Sequence, residues 1–424
     1  MSLKILLITL TITLIAFIAN QNIFEYQRFY NSFEKKLNST SCPLCLGMDF
    51  CHNLQYFEFN HERYKVTNFD HQNKFLYIFW GIIHILKQWL IRNNKIFFGK
   101  INLKNGTTLP LVAKRTENEK TKQFLEKVTE LVDVNSLNSI EQLKILLTGT
   151  NLPFIDNGLV VCSKNAKRSF SLIFDLIKLS IDSNNNKNIR LWLELYTAIH
   201  LSPEIILLKI LKLKSYVPII FGTCGNYYFV EDCGHTLQYY IGKLRLNMRM
   251  QIVYELLKLA LELTDGTAHR DYSFYLTDLT ADNIAIQIDS STGLLLSLKI
   301  IDWSDVIVVS NKENRFKCKL NFHYSECIEC CPGCLIYSED DICKTSYSDH
   351  NIYAVCQEFL SSGESILPEI TNTNILENSN YAEFQTLIKN CVCDRSTEHQ
   401  VIRNRLNTAK LMITLLEKIL KITF

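Results

Sequence analysis

At 424 residues with 47% hydrophobic content, the chain is long enough for one large domain or two of medium size with a full apolar core. Its 45 lysines and arginines nearly balance 43 aspartates and glutamates, so no net field steers a polyanion and nucleic acid is excluded as an expected partner. Fifteen cysteines would need metal or catalytic roles in a reduced compartment, and point instead to disulfides formed in the secretory lumen.

The opening stretch, MSLKILLITLTITLIAFIAN, carries Lys4 and then an uncharged run from Ile5 to Ala19, the pattern of a secretory signal. Ala19 suits the position before a cut, but Phe17 is bulky for a small-x-small site, so a retained type II anchor in the membrane stands beside a cleaved peptide. Residues 1–20 are thus read as signal or anchor, and 21–95 as a luminal, cysteine-containing segment. Sequons make Asn38 and Asn105 glycosylation candidates. In CPLCLGMDFC, Cys42, Cys45 and Cys51 are read as a disulfide framework rather than a zinc knuckle, since no fourth ligand is nearby. Residues 75–93 are apolar but interrupted by His84, Lys87 and Gln88, which favours a packed helix over a second membrane span.

From Ile96 the period becomes two. IFFGKINLKNGTTLPLVAKRT reads as a hairpin turning at Asn105-Gly106. Helical periodicity follows over 118–147 and 169–182, and resumes after the polar break DSNNNKN, with Pro203 suited to a first helical turn. VPIIFGTCGNYYFVEDC reads as a strand pair, 244–264 as helix, IAIQIDSSTGLLLSLKIID as a second strand pair, and 349–361 and 399–424 as helices. The asparagine-rich stretches at 182–188 and 371–380 read as surface loops. The expected class is α+β with two lobes: residues 96–232 a small strand-containing lobe with a helical insert, and 233–424 a larger helical lobe.

The tripeptide His269-Arg270-Asp271 copies the start of a protein-kinase catalytic loop, H-R-D-L-x-x-x-N. In that loop the base aspartate precedes the metal-binding asparagine by five positions, because one tight loop presents both to the nucleotide. Five residues beyond Asp271 stands Leu276, which cannot hold a metal; five beyond Asp278 stands Asn283. Asp278 is therefore the candidate base, and His269-Arg270-Asp271 is read as the exit turn of a helix. LKIIDWSDV supplies the following metal carboxylate, Asp302, with Trp303 and Ser304 where D-F-G has Phe and Gly. Val112-Ala113-Lys114 offers the phosphate-contacting lysine at a strand end, and Glu204 its partner on a later helix, with Glu194 and Glu126 as rivals.

With CPLCLGMDFC, FGTCGNYYFVED, LTDLTADNIAI, IIDWSDV and SDHNIYAVCQ in this order, the sequence resembles the divergent protein kinase domain proteins of the secretory pathway over roughly residues 42–424. The likeness runs to their deleted-in-autism branch. The resemblance implies a kinase fold in the endoplasmic reticulum, in the Golgi or outside the cell. It implies Lys114 on the α and β phosphates with Glu204 holding it, Asn283 and Asp302 on Mg²⁺ or Mn²⁺, Asp278 as base, and Asp349 bracing the catalytic loop from beneath. The acceptor would be a protein or glycan hydroxyl; the alternative is a pseudokinase that signals by binding.

Departures from the motif are specific. No G-x-G-x-x-G precedes Lys114, Leu276 and Thr277 stand where His and Arg precede the base, and no A-P-E follows. A cysteine-rich run at 318–343 replaces the activation loop, and Cys318, Cys327, Cys330, Cys331, Cys334 and Cys343 are read as disulfides stapling it. Asp182, Asn184 and Asn186 mimic an EF-hand loop, but Lys187 replaces its glycine and Glu194 falls one place late, so calcium is not expected.

Overall fold

The computed structural model describes residues 48–59, 96–102, 106–115, 127–128, 130, 132, 137–149, 159–163, 166–167, 170–181, 185, 187–225, 227–289, 291–311, 322–325, 335, 337–345, 347–361, 366–367, 379–392 and 401–421. The signal segment, Asn38 and Asn105, the apolar run at 75–93, Asp182, Asn184 and Asn186, and Cys42, Cys45, Cys318, Cys327, Cys330, Cys331 and Cys334 lie outside the described residues. The chain divides into two compact units, residues 1–118 with 221–232 and residues 119–220 with 233–424. The helices expected as an insert within 96–232 therefore belong to the second unit.

Strand β1 (Phe57–Phe59) pairs antiparallel with β2 (Ile96–Asn102), which forms the expected hairpin with β3 (Thr108–Arg115). Alternation gives β2 its two faces: Phe97 and Ile101 are buried while Ile96, Lys100 and Asn102 are exposed. Helix α1 (Ile140–Gly149) buries Leu143 and Leu147, one turn apart on a single face. After β4 (Val160–Ser163) and β5 (Ala166–Lys167) come α2 (Phe170–Ser180) and α3 (Ile189–Leu201). Asn188 caps α3, its side chain accepting from Leu191 N at 3.1 Å. Within α3, Glu194 pairs with Arg190 at 3.1 Å and Leu193 is buried.

Helix α4 (Pro203–Ile210) begins on a proline whose missing N–H has no helical partner to lose. Strands β6 (Ile220–Cys224) and β7 (Tyr227–Glu231), turning at Gly225 with φ 56°, complete a sheet of order β1-β2-β3-β7-β6. Gly222 admits a close approach of chain, since a Cβ there would meet Met48 O and Phe50 Cβ at 2.7 Å. The Cys51–Cys224 disulfide closes the same contact beside a core of Phe50, Phe97, Ile101, Leu111, Tyr227 and Phe229.

In the second unit, β8 (His235–Thr236) and α5 (Leu237–Tyr240) precede α6 (Leu246–Thr264), the long helix expected at 244–264. Then come β9 (Tyr272–Leu276), β10 (Ile284–Ile288), β11 (Leu295–Ile300) and β12 (Val306–Ser310). They build two sheets, β11-β10-β8 and β5-β4-β12-β9, the latter with β12 parallel to β4 and antiparallel to β9. Its strands β9 and β12 are buried along their whole length, so they lack the alternation that betrays a half-exposed strand.

Short β13 (Phe322–His323), α7 (Glu339–Lys344) and β14 (Tyr347–Ser348) lead into α8 (His350–Ala354), which runs on as a π-helical stretch over Val355–Ser361. Helices α9 (Ser379–Val392) and α10 (Val401–Leu420) close the unit. The loop expected at 371–380 gives way to α9 at Ser379. Cys343 does not staple the 318–343 run to itself: it bonds Cys162 on β4, 181 residues away, and Cys356 bonds Cys391. The fold is thus mixed α+β, with a strand-containing N-terminal region and a helical C-terminal region, and three disulfides join cysteines among the described residues. Among the described residues no single helix is long and apolar enough to cross a membrane; α3 and α4 reach that length only as a pair bent by 115°.

Candidate functional site

The turn between β9 and β10 is a loop over residues 277–283 that ends in a 3₁₀ turn, Ala281–Asn283. Leu279 is buried and anchors it, while Asp278 is exposed. Asn283 Nδ2 donates to the main-chain carbonyl of Asp278 at 2.9 Å and to its carboxylate at 2.8 Å. Both partners only accept, so the amide orientation follows from chemistry and Asn283 Oδ1 remains for another ligand.

Asp302 lies just beyond β11. Its Oδ1 accepts from Ser304 N at 2.9 Å and from Ser304 Oγ at 2.6 Å, leaving Oδ2 for a ligand. Trp303 is fully buried, donates from Nε1 to Ile300 O at 2.8 Å and stacks on Tyr216. This pins the segment by packing, where a glycine after the aromatic residue would leave it free to turn. The two loops are joined directly, for Ile301 N donates to Asn283 O at 2.8 Å. Consequently Asp278, Asn283 and Asp302 line one shallow pocket together with Leu276, Leu279, Ile300 and Asp305.

Asp305 did not figure among the expected site residues, although it stands in IIDWSDV. Partial burial of its carboxyl, and then the negative charges of Asp302 and Asp278, push its pKa up. Burial and Asp278 likewise raise Glu358 on the π-helical stretch. The pocket is therefore markedly anionic, a setting in which a cation relieves carboxylate repulsion.

The brace beneath the loop differs from expectation. Asp349 is buried, but it accepts from Ser325 N at 2.8 Å and pairs with Arg405 rather than reaching the catalytic loop. Its neighbours do the bracing. Asn351 Oδ1 accepts from Leu276 N at 2.9 Å and its Nδ2 donates to Phe274 O at 2.8 Å, while His350 Nε2 meets Leu276 O at 3.0 Å. The shift follows from helix geometry: α8 starts at His350, so residues 350 and 351 of its first turn face β9, and Asp349 just before it faces Ser325.

Lys114 is on β3 of the first unit, paired in register with Tyr228 of β7. Glu204 is buried in the first turn of α4, in the second unit. Asp271 lies in the turn between α6 and β9, where its carbonyl accepts from Asn311 N at 2.8 Å. It is thus at the opposite end of β9 from Asp278, roughly 20 Å along an extended strand.

Could the pocket hold a hard cation? Asn283 Oδ1 and Asp302 Oδ2 are oxygen donors on one cavity, the ligand type magnesium takes. Among the described residues no group of three or more His, Cys, Asp or Glu side chains is placed to hold a metal by itself. Two protein oxygens therefore fit an ion that completes its shell with water and phosphate, rather than a resident structural metal.

Residues 195–394 match the family model described as the protein-kinase domain of FAM69. Over that stretch the chain is similar to a divergent protein-kinase domain. It is similar to Divergent protein kinase domain 2A of Xenopus tropicalis and of Homo sapiens, 26% identical over 141 residues in each case. The matched stretch is 33% of this chain and 32% of each relative, so it spans about a third of their length. The stretch matched by the family model includes Glu204, Asp278, Asn283, Asp302 and Asp349, whereas Lys114 precedes it. The three disulfides among the described residues are compatible with a secretory-pathway protein.

Proposed function

We propose that the chain is an ATP-dependent phosphotransferase of the secretory pathway, using Mg²⁺ or Mn²⁺ and a hydroxyl acceptor on a protein or glycan. The observation that carries this reading is the pair of hydrogen bonds that Asn283 donates to Asp278, with Asp302 on the same pocket. Asp278 orients the acceptor hydroxyl and takes its proton as that oxygen bonds to the γ-phosphorus. The bond from the γ-phosphorus to the bridging oxygen breaks, and ADP leaves with the electron pair. Asn283 Oδ1 and Asp302 Oδ2 would hold the metal ion, which when bound neutralises phosphate charge. Lys114 and Glu204 take the phosphate-contacting and supporting roles on the strength of the resemblance.

The same reading puts the body in the endoplasmic reticulum, the Golgi or outside the cell, with Asn38 and Asn105 as glycan acceptors and the N-terminal segment as membrane anchor if it is retained. A second reading, a pseudokinase that acts by binding, draws support from Ser304, whose two bonds already occupy Asp302 Oδ1, and from Leu276-Thr277 ahead of the base. Thermal unfolding of the purified chain with ATP and Mg²⁺ or Mn²⁺, beside Asp302→Ala, separates the two. Enzymatic nucleotide use requires a stabilising shift in the wild type that the variant loses; a wild type without any shift refutes it.

A further inference from the structure

Thr277 occupies the position where the kinase motif has arginine, immediately before the candidate base. That arginine ordinarily receives an activation-loop phosphate, a role a neutral hydroxyl cannot fill. Thr277 is instead committed to another bond. Its main-chain N–H donates to Asp305 O at 3.1 Å and its Oγ1 donates to the same carbonyl at 3.0 Å. One carbonyl oxygen has two lone pairs, so both bonds are made at once.

The position of this bridge matters. The β9–β12 ladder ends at the pair Leu276–Val306, and Thr277–Asp305 extends it by one step into the pocket. On one side the next residue is Asp278. On the other, the Ser304 hydroxyl donates to Asp302 Oδ1 at 2.6 Å and lies 3.4 Å from Asp305 Oδ2. The chain of contacts Asp278–Thr277–Asp305–Ser304–Asp302 therefore ties the base to the metal carboxylate through the back of the pocket.

We propose that Thr277 is a positioning residue for phosphoryl transfer, its hydroxyl fixing the separation of Asp278 and Asp302 without recourse to a phosphorylated loop. This rests on the phosphotransferase reading. A group that sets geometry alters the transfer step more than nucleotide binding, because the loss falls on the aligned transition state.

The test compares wild type, Thr277→Val and Thr277→Ser in the full chain, with ATP·Mg²⁺ as the probe. ADP formation gives kcat, a nucleotide titration of the melting temperature gives Kd, and the melt without nucleotide reports the fold. Thr277→Val is expected to lower kcat roughly 3- to 10-fold, the size of one neutral hydrogen bond, with Kd and the nucleotide-free melt unchanged; Thr277→Ser is expected to restore kcat. Wild-type kcat in Thr277→Val overturns the inference, as does a joint loss of kcat, binding and melting temperature that serine fails to rescue. A wild type that binds ATP·Mg²⁺ but forms no ADP overturns it while leaving nucleotide binding intact. A wild type that does not bind removes the underlying reading as well.

Discussion

Asn283 donates to Asp278 twice, at 2.9 Å to the carbonyl and 2.8 Å to the carboxylate, so the candidate base and the candidate metal ligand form one mechanical unit. Substituting Asn283→Ala removes the oxygen ligand and frees the Asp278 side chain together. The expected outcome is loss of the ATP·Mg²⁺ thermal shift, with a nucleotide-free melt within a few degrees of wild type, because the bonds are exposed and each contributes about 1 kcal/mol.

Two aspartates, Asp271 and Asp278, are rival bases in the primary structure, and β9 separates them. Asp278→Asn should cut phosphate transfer by about 100-fold or more, since an amide cannot take the acceptor proton. Asp271→Asn should leave it within a few-fold of wild type, because that residue sits in the turn before β9. ADP formation from ATP·Mg²⁺ by the two variants checks this, and the reverse order would show that the loop has been placed wrongly.

Arg405 and Asp349 form a buried pair, with side chains 4% and 1% exposed. The guanidinium also donates to Cys391 O at 2.7 Å and Ser325 O at 3.2 Å, and lies over Tyr353. Arg405→Met therefore strands a buried carboxylate and three carbonyls, the third being Val392 O at 3.3 Å. It should destabilise the fold by about 3–5 kcal/mol in urea unfolding, whereas the double variant with Asp349→Leu should recover part of that loss, because no charge is then left without its partner.

His350 gives stability a pH dependence of known sign. Complete burial pushes its pKa from 6.5 down to about 4. Leu276 O is an acceptor, so Nε2 carries the proton in the neutral ring, and the buried Nδ1 has no hydrogen-bond partner for a second one. Between these pKa values the unfolded chain binds a proton that the folded chain refuses. The contribution is therefore full above pH 6.5 and is lost as pH falls towards 4, by up to about 3 kcal/mol. Urea unfolding at pH 7 and pH 5 should show a larger acid loss in wild type than in His350→Gln.

Much of this arrangement was legible from local pattern. The hairpin at 96–115, the helices at 170–180, 246–264 and 401–420, and the strand pair at 284–300 follow from periodicity and turn residues. The spacing of Asp278 and Asn283 was legible too, because one short loop fixes both. β9 and β12 were not, since full burial erases the alternation by which a strand is recognised. The brace was misplaced from Asn351 to Asp349 for a related reason: motif order does not reveal at which residue a helix begins.

Composition and spacing thus determined what depends on neighbours in the chain: the fold class, the loop that presents Asp278 and Asn283, and the aspartate after the next strand pair. Contacts between distant segments had to be decided in three dimensions. Cys343 could have paired with any of several nearby cysteines, but packing brings Cys162 on β4 to it across 181 residues. Thr277 looked like a simple loss of arginine, and only the register of β9 against β12 shows its hydroxyl on Asp305 O. Local sequence sets the conformations a segment can adopt; which partner meets which is set by the burial that many segments achieve together.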